Sequence, residues 1–206
     1  MYVLIGMPKQ PLWSIEALTP QGLLRAFEPT RAEISAAAPD LARFNNDSHN
    51  AAMMTNTREL TAADIVDFYQ ALWDDGGRPF LLEYNGILMG DADFRNVIDG
   101  DAEFAMMIGA RNEQSRGLGT RFAVMLHQAG RLVLGIRQVF ATIIPANLAS
   151  HRMVEKLGYR LDESPYGLSL IEADDDIAMS IDWRAFDLAH TDFLSRLVVA
   201  RRGLEP

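Results

Sequence analysis

Two turn dipeptides, Asn85-Gly86 and Asp99-Gly100, divide the middle of the chain into three apolar-rich runs: Phe80 to Tyr84, Ile87 to Val97 and Ala102 to Gly109. Asn-Gly and Asp-Gly accept the positive dihedrals of tight hairpin turns, so this spacing predicts three consecutive antiparallel strands.

The flanking sequence reads mostly as helix. Upstream, Trp13 to Leu18 forms a first strand that Thr19-Pro20 ends before a helical run from Gln21 to Phe27. Thr30 and Glu33 have capping-box spacing for a helix that Pro39 closes or interrupts. Asn45 to Thr57 is polar and weakly patterned. Thr61 and Asp64 then repeat the cap signal ahead of Ile65, Phe68, Tyr69 and Leu72 on one helical face.

Downstream, a loop leads into a helix with Phe122, Met125, Leu126 and Ala129 at helical spacing, stopped by Gly135. Gln138 to Ile144 is a buried strand broken by Pro145, and the helix Leu148 to Leu157 is capped by Gly158. Tyr166 to Glu172 and Ile177 to Asp182 are expected to pair as a hairpin around the aspartates Asp174, Asp175 and Asp176, a solvated turn. The amphipathic segment Phe186 to Val199 suits packing against a partner or a second copy, as in a homodimer. The order is α+β around a mixed, mainly antiparallel sheet flanked by helices. At 206 residues, 49% of them hydrophobic, a single domain over 1–206 is expected.

Composition removes several chemistries. With no cysteine there is no disulfide, thiolate metal site or cysteine nucleophile, and His49, His127, His151 and His190 lack metal-ligand spacing. A formal charge of -9 disfavours general nucleic-acid binding and slightly favours cationic acceptors. No apolar stretch is long enough for a membrane span and the start lacks a signal pattern, so a cytoplasmic protein without membrane attachment is expected.

The most informative residues are Gln114, Ser115, Arg116, Gly117, Leu118, Gly119 and Thr120, between a strand and a helix start. Glycines there let successive amides turn one way, and the helix dipole adds positive charge, so a pyrophosphate fits; a plain strand-to-helix turn is the bland alternative. Phe122 stands where a dinucleotide fingerprint needs its third glycine. The only lysines, Lys9 and Lys156, lie outside any phosphate-binding P-loop pattern.

Gln114 to Gly119 resembles the Q/R-x-x-G-x-G/A loop of GNAT acetyltransferases, directly after a strand similar to theirs. Some thirty residues later, Asn147 to Tyr159 resembles the family's N-x-x-S-x-x-x-x-x-x-L-G-F/Y element. The serine at Ser150 is similar to the ribosomal-protein N-terminal acetyltransferase subgroup. The resemblance covers about 80–170.

It implies acetyl-CoA as cosubstrate and a sheet splayed between the fourth and fifth predicted strands. Backbone at Met107, Ile108 and Gly109 would pair with pantetheine and polarise the thioester, residues 114–120 would bind the diphosphate, and Asn147 would bond the pantetheine arm. Ser150 is the implied acid, since the tyrosine used by many members is Val154 here, unless Tyr159 or Tyr166 reaches the thiol. Glu103 is chosen as base, with Asp91 and Asp93 as alternatives, although Asp91, Asp93 and Arg95 share a strand face and also read as a solvated or ion-paired edge. Arg111, Arg116 and Arg121 surround the loop as phosphate contacts or surface residues. The implied acceptor is an amine: a protein N-terminus, amino sugar, polyamine or similar small molecule. A non-catalytic acyl-CoA-binding or sensing module is the alternative.

Overall fold

The computed structural model describes residues 11–54, 58–114, 117–173 and 175–203. Strands β1 (Trp13–Thr19) and β2 (Gly22–Phe27) precede helices α1 (Arg31–Asn46), α2 (Ser48–Met53) and α3 (Ala62–Asp74). The meander β3 (Arg78–Tyr84), β4 (Ile87–Ile98) and β5 (Asp101–Ile108) leads through a 3-10 turn to α4 (Leu118–Val133). Then come β6 (Gln138–Ile143), α5 (Leu148–Lys156), β7 (Tyr159–Leu161), α6 (Pro165–Ser169), β8 (Ile177–Ile181), α7 (Trp183–Leu194) and β9 (Val198–Arg201).

The strands form one nine-stranded sheet in the order β7-β8-β6-β5-β4-β3-β2-β1-β9. All pairs are antiparallel except β5 with β6, which run parallel and pair only from Asp101 to Glu103 against Gln138 to Phe140. Beyond that point they part, so the expected splay opens one side of β5. One apolar cluster, with Phe122, Met125, Leu126 and Phe186, packs α4 and α7 on one side of the sheet. A second, with Ile34, Leu41, Phe44, Ile65 and Tyr69, packs α1 and α3 on the other.

Three expectations fail for identifiable reasons. Residues 21–27 are a strand, not a helix: Leu24 and Ala26 are buried while Leu23 and Arg25 turn outward, a period of two within too short a run to outvote its apolar content. Pro39 lies inside α1 without ending it, because the helix buries Ile34, Ala38, Leu41, Ala42 and Phe44. That burial outweighs the roughly 3 kcal/mol of an internal proline. Residues 166–172 do not form a strand; Ser164 caps α6 with Pro165 at its first position, and β8 pairs instead with β7 and β6. Within the segment 186–199, Phe186 is buried and β9 pairs with β1, while Leu188 and Val198 stay exposed.

His127 belongs to the core. It is fully buried, with Nδ1 2.7 Å from the Ala123 carbonyl and Nε2 2.6 Å from the Tyr159 hydroxyl. The carbonyl only accepts, so Nδ1 carries the proton and Nε2 accepts from Tyr159. Burial lowers the imidazole pKa to about 4. A histidine held neutral in the fold gains protons first in the unfolded chain, so this part of the stability is present above pH 6.5 and is lost as pH falls toward 4. Urea unfolding at pH 7 and pH 4.5 should show a loss of about 2–3 kcal/mol relative to the double variant His127→Leu/Tyr159→Phe. Equal pH slopes in the two proteins would contradict this assignment.

Candidate active site

The parting of β5 and β6 creates a cavity of about 500 Å3. Its walls include Tyr69 of α3, Asp91 and Asp93 of β4, Glu103 and Met107 of β5, Thr142 of β6, and Asn147 and Ser150 at the start of α5. The glycine loop lies past the end of β5, where Gly119 approaches Met106, Ile108 and Met153.

Strand alternation decides which β5 groups face the opening. The Gly109 N–H donates to the Met89 carbonyl at 2.8 Å, and Asp91 lies opposite Met107 in the same register. The backbone groups of Met107 and Gly109 therefore point to β4, whereas those of Met106 and Ile108 point to the opened side. Of the three positions expected to pair with a cofactor arm, Ile108 has its backbone on that side. Gly109 is needed for packing: a Cβ there would lie 2.2 Å from the Phe44 ring.

The start of α4 differs from that of the other α-helices. Thr30, Asp47, Thr61, Asn147, Ser164 and Asp182 each cap a helix with a side-chain oxygen. At α4 the cap is Gly117, at φ 78°, and no side chain among the described residues accepts from its first amides. A left-handed residue with open space around it turns the amides of Leu118, Gly119 and Thr120 outward at the positive end of the helix dipole. Anions favour such a position, and no side chain among the described residues caps it. Ser115 and Arg116 lie outside the described residues.

The other loop side chains hold the scaffold. Gln114 Nε2 donates to the Ile108 carbonyl at 2.7 Å and to Asn50 Oδ1 at 3.0 Å, while the buried Asn50 donates to the Phe44 and Gly109 carbonyls. Asn50 was hidden in the weakly patterned stretch before α3; the Asp47 cap three residues earlier was the available signal. Arg111 pairs with Asp47 at 3.1 Å, and Arg121 reaches Gln21 at 3.4 Å. Asn147 Oδ1 accepts from the Ser150 amide at 3.1 Å, fixing the first turn of α5 and placing Ser150 on the cavity wall.

Four acids near the opening have distinct surroundings. Glu103 accepts from Asn96 at 2.8 Å and from Thr142 at 2.9 Å, bridging the strands where they separate. Asp93 is buried and bound by both arms of Arg95 at 2.6 Å, the ion pair expected from their shared face. Asp91 Oδ2 accepts from the Tyr69 hydroxyl at 2.5 Å, whereas Oδ1 is buried without a partner. Burial, supplemented by the Asp93 charge and opposed by the Tyr69 hydrogen bond, pushes the Asp91 carboxyl up to about 6. Asp176, expected in a solvated turn, lines the cavity and also carries a buried, unpartnered Oδ1. Neither tyrosine considered for the thiol is aimed there: Tyr159 bonds His127 in the core, and Tyr166 donates to the Asn96 carbonyl.

Among the described residues no cluster of metal-ligating side chains occurs and no helix is long and apolar enough to cross a membrane. A second cavity, of about 590 Å3, lies far along the sheet between β1, β2 and β9 and shares no residue with the first.

Several solved structures share the fold. RimJ of Mycobacterium smegmatis in complex with CoA-disulfide aligns at a TM-score of 0.68 and 17% identity over 89% of this chain and 95% of its own. Spermidine N-acetyltransferase of Vibrio cholerae with CoA and spermine aligns at 0.66 and 16% identity, covering 82% of this chain and 99% of that one. AAC(6')-Ib with paromomycin and acetyl-CoA aligns at 0.65 and 18% identity, covering 80% and 96%. Comparison with curated proteins gives no match. The family model of the GNAT acetyltransferase domain matches residues 23–160, which include the meander, the glycine loop and α5. The chain therefore belongs to the GNAT family and is an acyltransferase, with acetyl-CoA as the cosubstrate of that family.

Proposed function

We propose that this protein transfers the acetyl group of acetyl-CoA to a primary amine by direct attack on the thioester, acting in the cytoplasm as one catalytic domain. The observation that carries this reading is an opened β5 side whose cavity holds Asp91 and Ser150, with the α4 start, which has no side-chain cap among the described residues, set against Met106 and Met153 of that cavity's wall through Gly119.

Acetyl-CoA supplies an activated acyl carbon whose sulfur leaves as a thiolate. The amides of Leu118, Gly119 and Thr120 hold the diphosphate, and the backbone of Ile108 orients the arm beside β5. An N–H on that strand, fixed before reaction, stabilises charge developing on the acetyl oxygen by a few kcal/mol in a site with little water, with about 3 kcal/mol typical of one such donor.

Asp91 takes the proton that the attacking amine loses as its nitrogen bonds to the acyl carbon. We choose it over Glu103 because both Glu103 oxygens already have donors across the strand gap, while Asp91 keeps one free and has a pKa near the working pH. Ser150 donates a hydrogen bond to the departing sulfur, and Asn147 keeps that serine in place.

Because the chain has no cysteine, free thiol reports CoA release without background from the protein. Incubation with acetyl-CoA and a panel of peptides, amino sugars and polyamines should release thiol with at least one acceptor and yield its N-acetyl product by mass. Saturable acetyl-CoA binding with no turnover on any class would instead support a sensing module.

A further inference from the structure

The cavity is more acidic than one amine requires. Two of its carboxylates are matched by its own cations, Asp64 with Arg58 at 2.9 Å and Asp93 with Arg95 at 2.6 Å. Asp91, Glu103, Glu172 and Asp176 remain on the wall without an ion-pair partner among the described residues. A buried carboxylate oxygen without a donor is costly to maintain, and two residues of this cavity's wall each carry one: Oδ1 of Asp91 and Oδ1 of Asp176.

These two oxygens belong to opposite walls. Asp91 is on β4, whereas Asp176 immediately precedes β8, and β5 and β6 lie between those strands. Three strand spacings of about 4.8 Å separate the walls, widened by the splay, so one ammonium group cannot serve both oxygens. The Asp176 side chain is also fixed. Its Oδ2 accepts from the Ala173 amide at 3.2 Å, and its own amide donates to the Ala173 carbonyl at 3.0 Å. That turn holds the Asp176 carboxylate on the cavity wall, and Glu172 on the same wall adds a second negative charge.

We infer that the acceptor carries at least two cationic amines, one reacting beside Asp91 and a second, unreactive one seated as ammonium against Asp176 and Glu172. This rests on the acetyltransferase reading above and narrows it to extended di- or polyamino compounds. The trailing ammonium supplies the donor and the charge that the far wall lacks, and its distance fixes which nitrogen reaches the thioester. A simple monoamine satisfies only the near wall.

The test uses linear α,ω-diamines of three to ten carbons and monoamines of the same lengths. Binding is measured by calorimetry on the full chain with CoA present, and acetyl transfer by thiol release. At the best length the diamine should exceed the matching monoamine by tenfold or more in both affinity and kcat/KM. Asp176→Asn, which retains an acceptor for the Ala173 amide, should erase most of that preference, chiefly through KM. Asp175→Asn, an exposed neighbour, should keep it.

Equal use of mono- and diamines, or an unchanged preference in Asp176→Asn, overturns the second-ammonium site while leaving acetyl transfer intact. Diamine binding that depends on Asp176 without any acetyl transfer supports the site and sinks the catalytic reading. Absence of both binding and length preference overturns the inference whatever the activity.

Discussion

Asp91→Asn lowers kcat/KM for amine acetylation by roughly 10²- to 10⁴-fold, the range typical of losing a positioned general base. Acetyl-CoA affinity stays within about threefold, since the amides proposed to hold its diphosphate are on another element. In the wild-type enzyme, protonation below about pH 6 removes the base, so kcat/KM falls about tenfold per pH unit there. The variant lacks this limb. Stability moves the other way. The folded pKa of Asp91 lies above its unfolded value, so its ionised form weakens the fold above pH 6, and that cost fades as pH drops toward 4. Asparagine can still accept from Tyr69, so the variant should gain roughly 1–3 kcal/mol at pH 8. An enzyme that is slow but more stable separates a catalytic carboxylate from a structural one. Activity within threefold of wild type with the acidic limb intact would return the role to Glu103 or an ordered water.

Gly117→Glu removes acetyl-CoA binding, with an expected loss of at least 100-fold in affinity. Two effects combine. A carboxylate beside the free amides of Leu118, Gly119 and Thr120 competes for the positive helix end and repels a diphosphate. The left-handed φ of 78° also costs a side-chain residue about 1–2 kcal/mol. Gly117→Ala separates these terms because it carries the backbone cost without the charge, and nothing lies within 4 Å of the added Cβ. Alanine should lower the melting temperature while keeping most of the affinity; glutamate should lose both. Calorimetry with acetyl-CoA and thermal melts of the three proteins provide the comparison. Equal loss of affinity in both variants would assign the effect to backbone strain rather than charge.

The sequence was legible where local chemistry set the backbone. The Asn85-Gly86 and Asp99-Gly100 turns have left-handed residues as their spacing predicted, and both Thr30 and Thr61 form capping boxes. The glycine pair likewise marked a helix start that no side chain among the described residues caps. Legibility ended where tertiary burial decided. Leu24 and Ala26 alternate over too few residues to outweigh the surrounding apolar content, and Pro39 looked terminal because the buried face around it was not visible locally. The choice among acids was unreadable for a related reason. The shared face of Asp91, Asp93 and Arg95 signals an ion pair but not which aspartate Arg95 takes, and nothing in the spacing shows that Asn96 and Thr142 occupy Glu103. Acids in turns are usually solvated, which was the expectation for Asp176, and only the packing around β8 brings this residue to the cavity wall.

Amide hydrogen exchange with and without saturating acetyl-CoA tests the central claim most directly. The account predicts new protection at the amides of Met106 and Ile108 and at Leu118 to Thr120, with the second cavity between β1 and β9 unchanged. Saturating binding that leaves those five amides exchanging as before, or protects the β1 and β9 groove instead, would contradict it.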